Sequence, residues 1–409
     1  TIRQYGCEKL LESGEGDLVR RRHLEFCLEF AERGDRELRG PRSLEWTRRM
    51  EQENDNFRAA LEYAFSAERV GDKGVGLILA LAGFSGLWSM RYWKEANFWL
   101  EKALEHPAVL PGSALHATLL FDCTVFVGSS PWEKQRLLLE ESLAIFELLG
   151  ESCRVERAYV LMWLGHHLNY HDERERGLGY MQEALRIFEA SGDKWGLGFN
   201  LNLLSWMIFM LDGDMDTAWA LAEQGLAAAR VCGEPALIAV MLSDFGCYKV
   251  RKGNYSEGQD YLIESVAIQK AFGHKDFACQ DLRFLGDAAR GLNDYEKAEG
   301  FYRESLAMVQ DIGWLSYGIG VRLSLGLTVL HQGDVQQALS LFKEALAVAY
   351  EVTNPEFPRF IAFYFLECIA AALAVQGEAE SAARLYGVFD AQVEALLAEG
   401  FSRSLLFDA

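Results

Sequence analysis

One unit of the sequence sets the terms for the rest. Leu285 to Leu306 reads as a helical run, a break at Gly291-Leu292-Asn293-Asp294, and a second helical run. Aligned on Ala298, the small residue opening the second run, the pattern recurs at Ala96, Gln135, Gly177, Ala218, Gly258, Ala298, Ala338 and Ala382. The successive spacings are 39, 42, 41, 40, 40, 40 and 44 residues. A single supersecondary unit cannot bury its apolar face alone, so a chain with such a period must stack its units. An irregular helical bundle would not keep a period of 40 through successive units.

Two further small sites accompany each anchor. Twelve residues before it stand Gly165, Gly246, Gly286, Gly326 and Ala370. Seven residues after it stand Ala103, Ser142, Ala184, Gly225, Ser265, Ser305 and Ala345. Small residues there let the two helices of a hairpin, and the next hairpin, approach closely. The breaks carry Gly213-Asp214, Gly253-Asn254 and Gly333-Asp334, a helix C′ residue followed by an N-cap. Pro is scarce, 7 in 409 residues, and β-branched alternation is rare, so the expected class is all-α. The expected architecture is a right-handed superhelical solenoid of about eight helical hairpins with a period near 40, over residues 71–395. Residues 396–409 read as a tail.

Residues 1–70 read differently. Asp17 is the expected N-cap of a helix to Arg33, and Gly34, Gly40 and Pro41 break the chain over Glu32–Pro41. Ser43 is then expected to cap one long helix to about Glu68, with Leu44, Met50, Phe57, Leu61 and Phe65 among its apolar positions. The chain opens without Met and reads as a fragment of something longer.

The three small sites resemble the tetratricopeptide repeat, whose common unit is nearer 34 residues. About six extra residues per unit lengthen its helices by most of a turn each. Thr1-Ile2-Arg3-Gln4-Tyr5 and Asn56-Phe57-Arg58-Ala59-Ala60-Leu61 resemble the region after the winged-helix domain of STAND-class signal-transduction ATPases, LuxR- and AfsR-type regulators among them. Ala382-Ala383-Arg384-Leu385-Tyr386-Gly387 resembles the closing repeat of that family. The resemblance implies a bacterial transcriptional regulator in which residues 1–70 are a helical linker following a winged-helix and ATPase module. It implies that the repeats sense an inducer and relieve autoinhibition, or receive a partner protein or peptide as a scaffold. Self-assembly through the terminal repeats is a further expectation.

Several functions are set aside by composition and motif. The formal net charge is −20, whereas phosphate-backbone binding needs a basic surface, so no direct nucleic-acid contact is expected. Residues 1–70 hold 13 basic and 15 acidic side chains, so almost all the excess acid lies beyond them. No Gly-x-x-x-x-Gly-Lys-Ser/Thr occurs: Gly71–Gly76 and Gly192–Gly198 lack the Lys-Ser/Thr that would hold phosphate and Mg²⁺. Acid pairs such as Glu140/Glu141 and Asp172/Glu173 are ordinary on solvated helices, so no enzyme activity, catalytic residue or cofactor is expected. The 8 cysteines form no Cys-x-x-Cys pair and read as free thiols of a reducing cytoplasm. No apolar run is long enough to span a bilayer.

The candidate ligand site follows from register. The first helix of each hairpin lines the concave surface of such a solenoid. In the third unit this selects Tyr159, Met162, Trp163, His166, Asn169 and Tyr170; in the fourth, Asn200, Leu203 and Met207. The fifth contributes Ser243, Asp244, Cys247 and Arg251, the sixth Gln280, Arg283, Asp287 and Arg290. Rings beside Arg suit an amphipathic ligand bearing a carboxylate or phosphate. The same rings at helical spacing fit packing between hairpins, and Arg283 and Arg290 fit a solvated face. His166, His167 and His171 with Asp172 and Glu173 form the one metal-like cluster; lacking a second ligand pair at fixed spacing, it is expected to be structural, with no metal.

Overall fold

The computed structural model describes residues 9, 12–66, 71–83, 88, 92–124, 132–171, 173–353 and 359–398. Thr1–Tyr5, Cys7, Glu68, Asp172 and the ends of the chain beyond 398 lie outside them. The described residues are helical, with no strand among them. The first helices are α1 Gly16–Leu38, α2 Ser43–Gln52, α3 Asn54–Ser66, α4 Gly71–Ala82, α5 Trp93–Leu104 and α6 Ala114–Asp122. Next come α7 Trp132–Leu149, α8 Arg154–Leu168, α9 Arg174–Ser191, α10 Lys194–Asp212, α11 Met215–Cys232 and α12 Pro235–Arg251. The remainder are α13 Tyr255–Phe272, α14 Lys275–Gly291, α15 Tyr295–Ile312, α16 Leu315–His331, α17 Val335–Thr353, α18 Arg359–Gln376 and α19 Ala379–Ala398. The chain divides into two compact units, Thr1–Leu204 with Gln224–Leu237, and Ser205–Glu223 with Ile238–Ala409.

Hairpin packing follows the three small sites. A Cβ at Gly286 would lie 2.5 Å from the Tyr302 ring, at Gly326 2.4 Å from Phe342, at Gly246 2.4 Å from Leu262, and at Gly165 2.7 Å from Met181. Each partner stands four residues after its anchor, one helical turn along the buried stripe. Tyr302, Phe342, Leu262 and Met181 are fully buried, which contributes about 2 kcal/mol apiece. The serines seven residues after the anchor do more than stay small. Ser142 Oγ donates to Ala117 O at 2.7 Å and Ser305 Oγ to Cys279 O at 2.7 Å, tying a second helix to the backbone of the first.

Turn chemistry holds at the aspartates, whereas Asn254 stands at the N-cap of α13 without a side-chain capping bond. Asp214, Asp294 and Asp334 accept from the backbone N–H of Thr217, Lys297 and Gln337. Gly253 and Gly333 take positive φ at the preceding position, and in the reference unit Asn293 takes it instead, at φ 61°. Asn293 is the one non-glycine residue with positive φ among those described.

The N-terminal segment departs from expectation in four places. Gly34 does not break α1: it admits Met50, whose Sδ would lie 2.3 Å from a Cβ there. Asp17 is not a cap but sits in the first turn and accepts from Tyr63 Oη at 2.6 Å. The long helix from Ser43 is two, offset at Glu53, because Asn54 is buried with its Oδ1 accepting from Trp88 Nε1 at 2.7 Å. The offset sends Trp46 and Met50, then Phe57 and Leu61, into one core shared with α4 and α5. Ser43 does not cap its own helix; its Oγ donates to Glu234 Oε1 at 2.8 Å. Glu234 caps α12 instead, accepting from the N–H of Ala236 and Leu237.

Candidate functional site

Five of the eleven candidate site residues, Asp244, Arg251, Arg283, Asp287 and Arg290, lie in the second unit. Four of them, Arg251, Arg283, Asp287 and Arg290, line one groove of about 960 Å³. Helix α14 places three of the four: Arg283, Asp287 and Arg290 recur at one face of an amphipathic helix whose other face is Leu282, Leu285 and Ala289. The missing Cβ of Gly286 brings the Tyr302 ring against α14, and its hydroxyl donates to Asp287 Oδ1 at 2.6 Å. Burial beside Asp287 pushes the Tyr302 phenol up, so it stays a donor.

Asp287 is therefore anchored from behind. In front of it the two guanidinium groups stand off, Arg283 Nε at 4.0 Å and Arg290 Nη2 at 3.6 Å. The Nε of each arginine is buried without a hydrogen-bond acceptor among the described residues. Arg283 lies over the rings of Phe284 and Tyr317, at 5.8 Å from each. Three arginines and one carboxylate leave the groove cationic in a chain of charge −20. Asp244 is buried in α12 and does not line the groove.

The groove extends one repeat beyond the expected positions. The groove's other wall is α16, through Ser316, Ile319, Gly320, Leu323, Ser324, Leu327 and His331, with Cys368 and Ala371 from α18. Leu323 and Leu327 stand 40 residues after Arg283 and Asp287, so the repeat period itself was the signal that would have found them. Tyr295 also lines the groove, stacked on His331 with centroids 5.2 Å apart. The site thus combines a basic wall with an apolar one. Such a surface binds an anion by charge-assisted hydrogen bonds while burying an apolar body.

The other six candidates, Tyr159, Trp163, His166, Asn169, Tyr170 and Asn200, lie in the first unit. Tyr159 is buried; its hydroxyl donates to Asp193 Oδ2 at 2.7 Å and accepts from Arg39 Nη1 at 3.4 Å. The Asn169 amide donates to Gly165 O at 2.6 Å, and that of Asn200, fully buried, to Met181 O at 2.9 Å. Trp163 stacks on His166, and His166 meets Tyr170 edge-on at 5.3 Å. Trp132 stacks on His171 at 4.5 Å and on His167 at 5.2 Å. Burial pushes His166 down to about 3 and His167 to about 4, so both rings are neutral at physiological pH. The histidines here pack as rings. Among the described residues no group of three or more His, Cys, Asp or Glu side chains is placed to hold a metal ion. Tyr170, at 46%, and His171 are the exposed members of the cluster.

Residues 237–311 and 322–356 match the tetratricopeptide repeat family. No curated protein sequence matches the chain. Among solved structures, a signal transduction ATPase with numerous domains (STAND) carrying a tetratricopeptide repeat sensor, from Pyrococcus horikoshii, superposes with a TM-score of 0.60 at 16% identity. The match covers 94% of this chain and 54% of that one, so the chain spans about half the length of that protein. A Rap protein solved in complex with Competence and Sporulation Factor gives 0.55 at 17% identity, covering 94% of this chain and 99% of that one. Aspartyl phosphate phosphatase F from Bacillus subtilis gives 0.50 at 13% identity, covering 90% and 93%. At these identities the likeness is one of fold. It supports a stack of helical hairpins. Among the described residues no helix is long and apolar enough to cross a membrane.

Proposed function

We propose that this chain is the sensor region of a STAND-type regulator of the LuxR/AfsR kind, working in the bacterial cytoplasm, and that its ligand occupies the groove of the second unit. One observation carries the reading: Arg251, Arg283 and Arg290 converge with a single carboxylate on a groove whose opposite wall is apolar. Residues 1–70 would connect the repeats to an upstream ATPase module, 71–395 would form the sensor and 396–409 a tail. Occupation of the groove would relieve autoinhibition of that module. The ligand in this reading is an inducer with a carboxylate or phosphate and an apolar body. Trp163, His166 and Tyr170 of the first unit are proposed as a separate apolar contact, with Tyr159, Asn169 and Asn200 supporting the helices that carry them.

A peptide or partner protein is the second reading. The lining face of α16 runs from Ser316 to His331, roughly 22 Å of helix, long enough for an extended segment of about six residues. A thermal-shift screen of the chain against anionic metabolites and acidic peptides separates the two. A ligand at about 100 times its Kd stabilises the native state by about 2.7 kcal/mol. The Arg283→Met, Arg290→Met double variant should lose that shift. An unchanged shift in the double variant sinks the groove as the site.

A further inference from the structure

Seventeen residues before the anchor, five of the other repeats carry Val160, Leu201, Met241, Val321 and Phe365, all buried, while the first two carry Leu79 and Thr118, both half-buried. In the sixth repeat this core position holds an aspartate, fully buried at 0% exposure. Its carboxyl touches two hydroxyls from two other helices. Ser243 of α12 donates to Oδ1, and Ser265 Oγ of α13 lies 2.6 Å from Oδ2.

Counting protons decides its state. Ser265 Oγ also lies 2.8 Å from Ala239 O. A hydroxyl has one proton to donate, and a carbonyl oxygen can only accept. Ser142 and Ser305, at the same place in their repeats and with no carboxyl bonded to them among the described residues, both give that proton to the first-helix carbonyl. If Ser265 does the same, the 2.6 Å contact with Asp281 lacks a proton unless Asp281 supplies it. We infer that Asp281 is a neutral carboxylic acid in a relay from Ser243 through Asp281 and Ser265 to Ala239 O, a proton-operated tie of α14 to α12 and α13. Every oxygen in the relay then has its partner, whereas an ionised carboxylate would have to take the Ser265 proton and leave Ala239 O without that donor.

The surroundings agree. Burial raises Asp281 to about 7, opposed only by the two serine hydroxyls, with no charged neighbour among the causes. Titratable groups on α14 and the helices around it include Asp276, Cys279 and Arg283 on α14, Asp244 and Cys247 on α12, Glu264 on α13, Tyr302 on α15 and Tyr317 on α16. None forms an ion pair with it among the described residues; Arg283 is turned toward Asp287 and the Tyr317 ring. The same helix α14 carries Arg283, Asp287 and Arg290 into the groove, so the tie regulates the site proposed above and in that respect rests on that reading.

The sign follows from the folded value lying above an unfolded value of about 3.9. The folded state then binds the extra proton, and stability falls as pH rises from about 4 to about 7 and is level above. The test uses the full chain with no ligand, so its failure is distinct from failure of the groove. In Asp281→Asn the amide reproduces the relay without a titrating proton. Its denaturant midpoint should exceed that of the unaltered chain at pH 8 and match it near pH 4.5. At pH 5.5 the unaltered chain should show an infrared carbonyl band of a buried carboxylic acid that Asp281→Asn lacks and Ser265→Ala shifts. Should Asp281→Asn fail to fold, the band and its displacement in Ser265→Ala still decide. Absence of the band at pH 5.5, or an Asp281→Asn midpoint lower at pH 8 than at pH 4.5 relative to the unaltered chain, overturns the proposal.

Discussion

Both units leave buried polar atoms unpaired among the described residues, Asn169 Oδ1, Asn200 Oδ1, His166 Nδ1 and His167 Nε2 in the first and the Nε of Arg283 and Arg290 in the second, but they differ in where the charge lies. In the first, the amides of Asn169 and Asn200 donate to backbone carbonyls at 2.6 and 2.9 Å, and the Tyr159 hydroxyl is held between Asp193 and Arg39. His166 and His167 are half-buried among rings and uncharged at physiological pH. In the second, Asp287 is anchored by Tyr302 while Arg283 and Arg290 remain at 4.0 and 3.6 Å from it, with their Nε atoms unpaired. Polar groups consumed by the fold stabilise it. Cations left short of a partner beside a cavity keep their hydrogen-bonding capacity for something else, at some expense of stability.

The largest test of this contrast is acid. His166 and His167 have folded values near 3 and 4, below an unfolded value of about 6.5. The unfolded state therefore binds more protons in this range. Their contribution is complete above about pH 6.5 and is lost as pH falls toward 4. One such ring at pH 4 corresponds to roughly 3 kcal/mol. Asp281 gives the second unit the reverse slope over nearly the same range. Hydrogen exchange resolved along the chain should show amides of α8 and α9 losing protection on acidification from pH 7 to pH 4.5, while those of α12 to α14 hold or gain it. Parallel loss in both units would remove the distinction.

Substitution gives a smaller effect. Asn200→Ala leaves Met181 O without its side-chain donor in a fully buried place and should cost about 2 kcal/mol in urea unfolding. Arg283→Met keeps the volume, removes a half-satisfied, half-buried cation and should change stability by less than about 1 kcal/mol, in either direction. It should nonetheless abolish the shift given by an anionic ligand. If Arg283→Met were the more destabilising of the two, the groove arginines would be structural and the comparison would collapse.

Most of the fold was legible because repetition multiplies a weak signal. No single Gly predicts a contact, but Gly165, Gly246, Gly286 and Gly326 at one register do, and each meets the residue one turn past its anchor. Where there is no repetition, local rules misled. Gly34 reads as a breaker and is a packing site for Met50; Ser43 reads as a cap and bonds Glu234, 191 residues away. Such partners are set by tertiary packing that no local window contains. The candidate site was legible as register and not as environment. Arg283 and Tyr159 are both first-helix positions, and the pattern cannot say that the hydroxyl of one is already taken while the Nε of the other is left unpaired. Asp281 had been available too, as a lone acid in a column of Val, Leu, Met, Phe and one Thr, but the column had to be aligned first.

The smallest effect is also the most specific to the groove. Asn293 holds φ 61° where the neighbouring repeats have Gly253 and Gly333. A glycine would relax that backbone and by itself favour the fold by a few tenths of a kcal/mol, partly offset by the freedom it adds to the unfolded chain. Asn293 Oδ1, however, accepts from Tyr295 Oη at 3.0 Å, and the Tyr295 ring is the one stacked on His331 at the groove. Asn293→Gly should therefore leave the midpoint of unfolding within about 0.5 kcal/mol of the unaltered chain. The same variant frees the Tyr295 ring and should weaken a groove ligand by a few-fold, through a faster off-rate, because an aromatic wall that must be ordered on binding contributes less than one already held. A turn residue serving the turn alone would give the first result without the second, and the second would then place Tyr295 outside the site.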